Sequence, residues 1–221
     1  MKGNVTTAER YHFFVALMLS GGFMGAYSYY LKGGVFANAE TANLLILSMR
    51  IVQSDWHGAL SVLVPIVTFF LGTVLSEALS GKLGHRWPPV LLSSVTGLLA
   101  ILAILPEGTP NRIYHIAISL ASSLEYDTFR QARGVPLSTL FCTAHIRGAG
   151  SSLYKSLHSK DREALVRTLY HFGMIATFII GAMLCAFTSR ALGTHTIALA
   201  CLPLIYALVE LARTRKEAAP N

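Results

Sequence analysis

The chain is poor in charged residues, and in acidic residues above all. Only 13% of its 221 residues are charged, with 11 acidic against 18 basic side chains, while 53% are hydrophobic and the mean hydropathy is +0.52. These values are typical of a membrane protein and exclude an ordinary soluble domain. The excess of positive charge does not indicate nucleic acid, because the basic residues are spread between apolar runs and form no stripe on a polar domain. We therefore expect the lipid bilayer, and not nucleic acid, to be the partner of this chain.

Cysteine is scarce, and enzyme motifs are missing from the sequence. The chain has three cysteines without metal-ligand spacing, which we interpret as reduced, buried side chains, and its histidines form no metal-binding pattern. The glycine-rich stretch 148–152 lacks the Lys-Ser/Thr ending of a phosphate loop. No Gly-x-Ser-x-Gly elbow and no His-Glu-x-x-His motif occurs. We therefore expect no enzyme activity, no cofactor and no metal.

Long apolar runs make up most of the chain. Six of them have, or nearly have, the length of about 20 residues that a helix needs to cross the hydrocarbon layer. The first run is too long for the core of a cleavable signal and no cleavage site follows it, so we expect residues 1–10 to be a short cytoplasmic tail. The six runs are 11–31, 59–79, 89–105, 112–131, 169–187 and 196–212, and two shorter runs, 41–52 and 137–146, have the length of re-entrant or interfacial segments.

The distribution of Lys and Arg favours six crossings with both termini in the cytoplasm. If only the six long runs cross, 14 basic residues lie on the inner side and 4 on the outer side, which together are the 18 of the chain. If the two short runs also cross, the bias is weaker and Arg147 is left inside the membrane. Because Lys and Arg accumulate on the cytoplasmic side, we prefer the first arrangement.

The stretch 20–43 interrupts the first apolar run with glycines and polar residues. Gly21, Gly22 and Gly25 give the helix a smooth face on which another backbone can pack closely. The pair Gly33 and Gly34 then breaks the helix. Four polar side chains that lipid would not tolerate without partners follow this break, namely Asn38, Glu40, Thr41 and Asn43.

This stretch resembles the YoaK family of small bacterial multi-pass membrane proteins, whose function is unassigned. The resemblance is carried by a double glycine, a Gly-Gly-Val-Phe turn at the end of the helix, and a Thr-small-Asn triplet that opens the next apolar run. It extends over nearly the whole chain in the length and order of the segments. It implies a location in the bacterial inner membrane, and it implies no substrate. The matching residues are Gly21, Gly22, Gly33, Gly34, Val35, Phe36, Thr41 and Asn43.

The chain also shows a weak internal duplication. Gly34-Val35 matches Gly134-Val135, and the triplet that ends at Asn43 matches the triplet Thr143-Ala144-His145. The apolar run around Gly72 matches the run around Gly181. The alternative is that glycine-rich apolar helices align by composition alone. With three crossings in each half, the second half would be inverted relative to the first, as in many secondary transporters.

Few ionisable residues fall inside the apolar runs, and each is costly there. Glu125 and Asp127 lie in the fourth long run, followed by Arg130. One interpretation places both carboxylates among the headgroups, paired with arginines, and the other makes Glu125 a cation or proton site between the two halves. Likewise, Glu40 with its neighbours either caps the first short helix or binds a ligand. A titratable imidazole at His145 would couple binding to protons.

These observations predict an all-α polytopic membrane protein with six spanning helices in two inverted three-helix halves, each with an extra short re-entrant or interfacial helix. The chain would form a single membrane domain, 1–221, with halves at 11–105 and 112–212. We expect a transporter or permease for an unknown small solute; the alternative is a non-transporting protein that binds a lipid or a partner helix, and a homo-oligomer is left open. The predicted substrate-binding residues are Asn38, Glu40, Thr41, Asn43, Glu125, Thr143 and His145, and the predicted helix-packing glycines are Gly21, Gly22, Gly25, Gly72 and Gly181.

Overall fold

The computed structural model describes residues 11–129, 131–132, 135–136 and 139–218, and over these residues the chain is almost entirely helical. Strands β1 (Gln131–Ala132) and β2 (Val135–Pro136) form a minimal antiparallel pair. The predicted tail 1–10 and the residues Arg130 and Gly134 lie outside the described part. The helices are α1 (Tyr11–Ala26), α2 (Glu40–Val52), α3 (Trp56–Leu83), α4 (Trp87–Ala103), α5 (Asn111–Thr128), α6 (Cys142–Ser159), α7 (Arg162–Leu192) and α8 (Cys201–Ala218).

Three helical runs of the described chain are long and apolar enough to cross a membrane, which indicates membrane association. They are Tyr11–Leu31, Trp56–Ala103 and Arg162–Thr214. The second run contains α3 and α4, and the third contains α7 and α8, so five of the predicted crossings fall within them. The remaining predicted crossing, α5, is not apolar enough to be counted with these runs.

Helix α5 can be polar because most of its polar side chains are buried against neighbouring helices. Eleven of its 18 residues are buried, and they include Ser119, Ser122, Ser123, Glu125 and Asp127. It packs mainly against α3 and also against α4. A helix whose polar face is covered by neighbouring helices does not need an apolar surface all round, and this explains why α5 differs from the other long runs.

The outer faces of the longest helices are apolar and exposed. Phe70 on α3 and Phe187 on α7 are 67% and 70% exposed. Exposed apolar stripes of this length are unfavourable in water and are what a lipid-facing surface requires. The stripe on α3 contains Leu60, Leu63, Val67, Phe70 and Val74, and that on α7 contains Leu169, Phe172, Ile180, Met183 and Phe187.

The helix contacts occur in matched pairs. Helix α1 packs most extensively against α7, and α5 packs most extensively against α3. Helix α2 packs against α3 as α6 packs against α7, and α1 contacts α8 as α5 contacts α4. If α1 is exchanged with α5, α2 with α6, α3 with α7 and α4 with α8, each contact in these pairs becomes the other contact of its pair. The pattern is the one that the predicted duplication would produce, with each half contributing its first helix to the other half.

The junctions between the helices also match. A residue with positive φ followed by an aspartate N-cap separates α2 from α3, at Ser54 and Asp55, and again α6 from α7, at Lys160 and Asp161. Helices α3 and α7 both end at a glycine, Gly84 with φ 50° and Gly193 with φ 53°, and a 3₁₀ turn follows each. These junctions are not among the sequence features that predicted the duplication.

Two boundaries differ from the sequence prediction. The second short run was expected at 137–146, but α6 begins at Cys142 and extends to Ser159. The polar stretch 155–167 has the charge pattern of a solvated linker, but it forms the end of α6 and the start of α7. The predicted break after the first helix is present, because α1 ends in a π-helical segment, Tyr27–Leu31, and Gly33 and Gly34 adopt φ values of 91° and 73° that other residues rarely adopt.

Candidate functional site

The segments that lead into α2 and α6 both contact Gly21 in α1. The Asn38 amide donates a hydrogen bond of 3.1 Å to the Gly21 carbonyl oxygen. A Cβ atom at Gly21 would lie 2.8 Å from the Thr139 carbonyl oxygen and 2.7 Å from the Leu140 side chain. Glycine at this position therefore allows the segment before α6 to approach α1 closely. Gly25, one turn further along, makes room for the Asn38 side chain.

The polar residues at the start of α2 bind one another. Asn43 is buried, and its Nδ2 donates to Glu40 Oε2 at 3.0 Å and to the Phe36 carbonyl oxygen. No side chain caps the helix by accepting its first amides; the N-cap residue is Ala39. The Glu40 carboxyl also lies beside the Ser119 hydroxyl of α5. Glu40 Oε1 and Asn43 Oδ1 are buried and accept no hydrogen bond from any residue that the structure describes.

Glu125 is the most deeply buried of the acidic groups near these segments. Its side chain is 0% exposed and lies beside the Thr139 hydroxyl, but within the described part of the chain neither carboxylate oxygen forms a hydrogen bond. The hydroxyls of Thr139 and of Ser122, one turn earlier in α5, are also buried and have no hydrogen-bond partner among the described residues. Because an unpaired buried polar group is costly, this arrangement calls for a proton, a water molecule or a ligand that supplies donors or positive charge.

His145, which the predicted duplication matches with Asn43, pairs with a second histidine. Its Nδ1 lies 3.1 Å from Nδ1 of His171 in α7, and both rings are buried. When both rings are neutral, one Nδ1–H donates and the other Nδ1 accepts, so the pair holds a shared proton. Gly148 leaves the space that the His171 ring occupies. This pairing leaves no local signal in the sequence, because the two histidines are 26 positions apart.

The other predicted residues have different surroundings. Thr41 and Thr143 are both exposed. Gly22 packs against the Phe178 backbone and Gly181 against the Leu19 backbone, so these two glycines join α1 to α7. Gly72 instead packs against the Ser123 side chain of α5. The predicted pairing of Asp127 with Arg130 involves a residue outside the described part.

Sequence reasoning missed the hydroxyl groups of this region. Ser122 and Ser123 lie three and four positions after Ser119 on α5, which is the spacing of one helical face, and Thr139 precedes α6. The polar stripe on α5 was visible in the sequence, but Thr139 gave no signal because only the fold brings it to Glu125. Among the described residues, no three His, Cys, Asp or Glu side chains come together as metal ligands.

Comparison with known proteins identifies a family and no activity. No curated protein and no solved structure matches the chain. Residues 13–209, which include all eight helices in whole or in part, match a family described as protein of unknown function (DUF1275). The match covers far more than half of the sequence, and the chain therefore belongs to the DUF1275 family.

Proposed function

We propose that this protein is a membrane transporter or permease for a small polar solute, with its binding site at Glu125. The carrying observation is the buried carboxylate of Glu125, whose oxygens form no hydrogen bond within the described part of the chain and which lies beside Thr139 in the segment that leads into α6. A protein that serves only as a scaffold would gain nothing from an unpaired buried carboxylate. A site that binds and releases a ligand needs such groups to be unsatisfied when it is empty.

The unpaired groups define the class of solute. They are predominantly acceptors, namely the two oxygens of Glu125, Glu40 Oε1 and Asn43 Oδ1. The solute therefore supplies hydrogen-bond donors or a positive charge, as a proton, a metal cation or a small ammonium or amide compound does. The His145 and His171 pair lies at the second short helix and provides a place where a proton is taken up or released.

The proposed topology has six crossings, α1, α3, α4, α5, α7 and α8, in two inverted halves, with both termini in the cytoplasm of a bacterium. The matched helix contacts and junctions support the duplication. The buried polar face of α5 supports a sixth crossing that is shielded from lipid. Helices α2 and α6 are then the short elements beside the site, in the manner of the broken helices of transporters.

The alternative function, binding of a lipid or partner helix through glycine-rich faces, has less support. Gly22 and Gly181 are both occupied by the packing of α1 against α7, and Gly72 by the packing of α3 against α5. The glycines on which that alternative was based are therefore used inside the chain and do not form a free docking face.

Flux through the purified protein tests the proposal. Protein in sealed liposomes with a pH-sensitive dye inside is exposed to gradients of protons, Na⁺, K⁺, ammonium and guanidinium. We expect the wild type to accelerate at least one flux, Glu125→Gln to abolish it, and Asn43→Ala and His145→Ala to reduce it while the protein remains folded. Glu77→Gln is the matched control, because it neutralises an exposed carboxyl on α3. Equal fluxes in the wild type and Glu125→Gln would remove Glu125 from the mechanism.

Cysteine labelling tests the topology separately. In a variant that lacks Cys142, Cys185 and Cys201, a cysteine at Lys82 should be protected from an impermeant thiol reagent in intact cells. A cysteine at Gly108 should be labelled. The reverse pattern would contradict the proposed orientation, and labelling of both positions would contradict the crossing between them.

A further inference from the structure

A cavity of about 290 Å³ opens at the end of α1, away from the Glu125 site. Its walls come from the turn after the π-helical segment, from the start of α3 and from the N-terminus of α5. None of the described residues that line it is an aspartate or a glutamate. Four of its lining residues carry or can carry positive charge, namely Lys32, His57, Arg112 and His115.

Lys32 lines the cavity, and its charged side chain is almost completely buried. It is only 2% exposed, and its Nζ lies 3.6 Å from the centre of the Tyr114 ring and 5.6 Å from that of Tyr27. Within the described part of the chain, Nζ forms no hydrogen bond and no ion pair. The aromatic faces offset only part of the cost of burying an ammonium group.

The surroundings of Lys32 contain further unpaired groups. Among the described residues, the hydroxyls of Tyr114 and Thr194 are buried and have no hydrogen-bond partner. Tyr27 donates a 2.8 Å hydrogen bond to the backbone oxygen of Thr194. The Glu107 carboxylate acts on Lys32 electrostatically, but it is exposed and does not pair with it. Burial lowers the pKa of the Lys32 ammonium, and Glu107 opposes this shift.

The local backbone supports an anion at the same place. Helix α5, 18 residues long, begins at Asn111 and has Pro110 as its N-cap without a capping side chain. Pro110, Asn111 and Arg112 line the cavity, so the positive dipole end of the helix lies at its wall. The His115 Nε2–H donates a 2.7 Å hydrogen bond to the Lys32 carbonyl oxygen and holds the lysine backbone against α5. The left-handed Gly33 leaves room for the Asn111 side chain.

We infer that this cavity is a binding site for a phosphate-type oxyanion, with Lys32 and Arg112 as its charged ligands and the amides at the start of α5 as its neutral donors. The oxyanion supplies the countercharge that the buried ammonium lacks. Its source is either free phosphate or the headgroup of an anionic phospholipid, since both present the same oxygens to the same donors.

Thermal unfolding of the full chain in an uncharged detergent distinguishes the sources. In one arm, inorganic phosphate is compared with chloride at equal ionic strength. In the other arm, phosphatidylglycerol is compared with phosphatidylcholine. We expect phosphate, phosphatidylglycerol or both to raise the unfolding temperature. A rise with phosphate identifies a site for the free anion, and a rise with phosphatidylglycerol alone identifies a headgroup site. No rise in either arm would overturn the inference.

Three variants separate a built site from general attraction of charge. Arg112→Gln, which changes an exposed side chain and should fold, is expected to weaken the apparent affinity by about tenfold, the effect of one charge-assisted hydrogen bond. Arg190→Gln removes the same charge from an exposed position that does not line the cavity and should change the affinity less than about twofold. Glu107→Gln should tighten binding, because it removes a competing carboxylate. Equal weakening by Arg112→Gln and Arg190→Gln would overturn the inference.

Discussion

Helices α1 and α5 have equivalent positions in the helix contacts but different chemistry. Each packs along one long helix, α1 on α7 and α5 on α3. Helix α1 is apolar and meets its partner backbone to backbone, at Gly22 and Gly181. Helix α5 meets its partner through serines, with Ser119 donating a 2.7 Å hydrogen bond to the Pro65 carbonyl oxygen and Ser123 filling the space beside Gly72.

This difference shows how two helices in equivalent packing positions can serve different tasks. Backbone contact through glycine gives close packing that does not depend on polar partners. Contact through serine leaves a polar face in the protein interior, and on that face Glu125 can remain buried without meeting lipid. Helix α1 therefore serves mainly as a structural support, and α5 carries the chemistry that we propose.

The largest expected effect comes from a side chain at the α1–α7 contact. In Gly22→Ala the new Cβ atom would collide with the Phe178 carbonyl oxygen, and no side-chain truncation can relieve a collision with backbone. Overpacking costs about 1–3 kcal/mol when side chains can adjust, so we expect a greater loss here and little folded protein. Size-exclusion chromatography in detergent measures the folded fraction. The control is Gly97→Ala on α4, where no atom lies within 4 Å of the new Cβ.

The α3–α5 contact should respond differently. Gly72→Ala would collide with the Ser123 side chain, which can be removed. We expect Gly72→Ala alone to lower the folded fraction and the double variant Gly72→Ala with Ser123→Gly to restore most of it. Failure of the double variant, together with tolerance of Gly22→Ala, would show that the two contacts have been assigned the wrong way round.

Much of this architecture could be predicted from the sequence, because its signals are local. Apolar length located α1, α3, α4, α7 and α8, and the Gly33-Gly34 pair located the break after α1. The boundaries of α6 could not be predicted, because a polar stretch such as 155–167 is typical of both a solvated linker and an exposed helix. The partners Thr139 and His171 could not be predicted either, since they reach Glu125 and His145 only through long-range packing.

A smaller effect, of opposite sign, is expected at Glu125. Replacing a buried carboxyl that lacks hydrogen bonds by an apolar side chain of similar length removes a desolvation cost of about 1–3 kcal/mol. We therefore expect Glu125→Met to raise the unfolding temperature in detergent while abolishing the flux measured in liposomes, a trade of activity for stability. Ser119→Ala on the same helix should lower the unfolding temperature, because its hydroxyl is paired. A destabilised Glu125→Met would mean that the carboxyl has a structural partner in the native membrane.

The smallest effect concerns the matched caps of α3 and α7. Asp55 accepts a 2.9 Å hydrogen bond from the Gly58 amide and pairs with Arg50, and these contacts, the amide first, hold the pKa of the Asp55 carboxyl below its ordinary value of 3.8. Because the pKa is lower in the folded state, the stabilisation is present above pH 3.8 and is lost as the pH falls below it. Asparagine caps a helix about as well as aspartate, so Asp55→Asn removes the charge and keeps the cap. We expect Asp55→Asn to unfold at a slightly lower temperature than the wild type at neutral pH and at the same temperature once the pH is well below 3.8.

The same comparison with Asp161→Asn, which caps α7 beside Arg167, shows whether the charge of the α7 cap contributes to stability as that of the α3 cap does. A difference between wild type and Asp55→Asn that does not change with pH would mean that the charge of Asp55 contributes nothing and that only its capping oxygen matters.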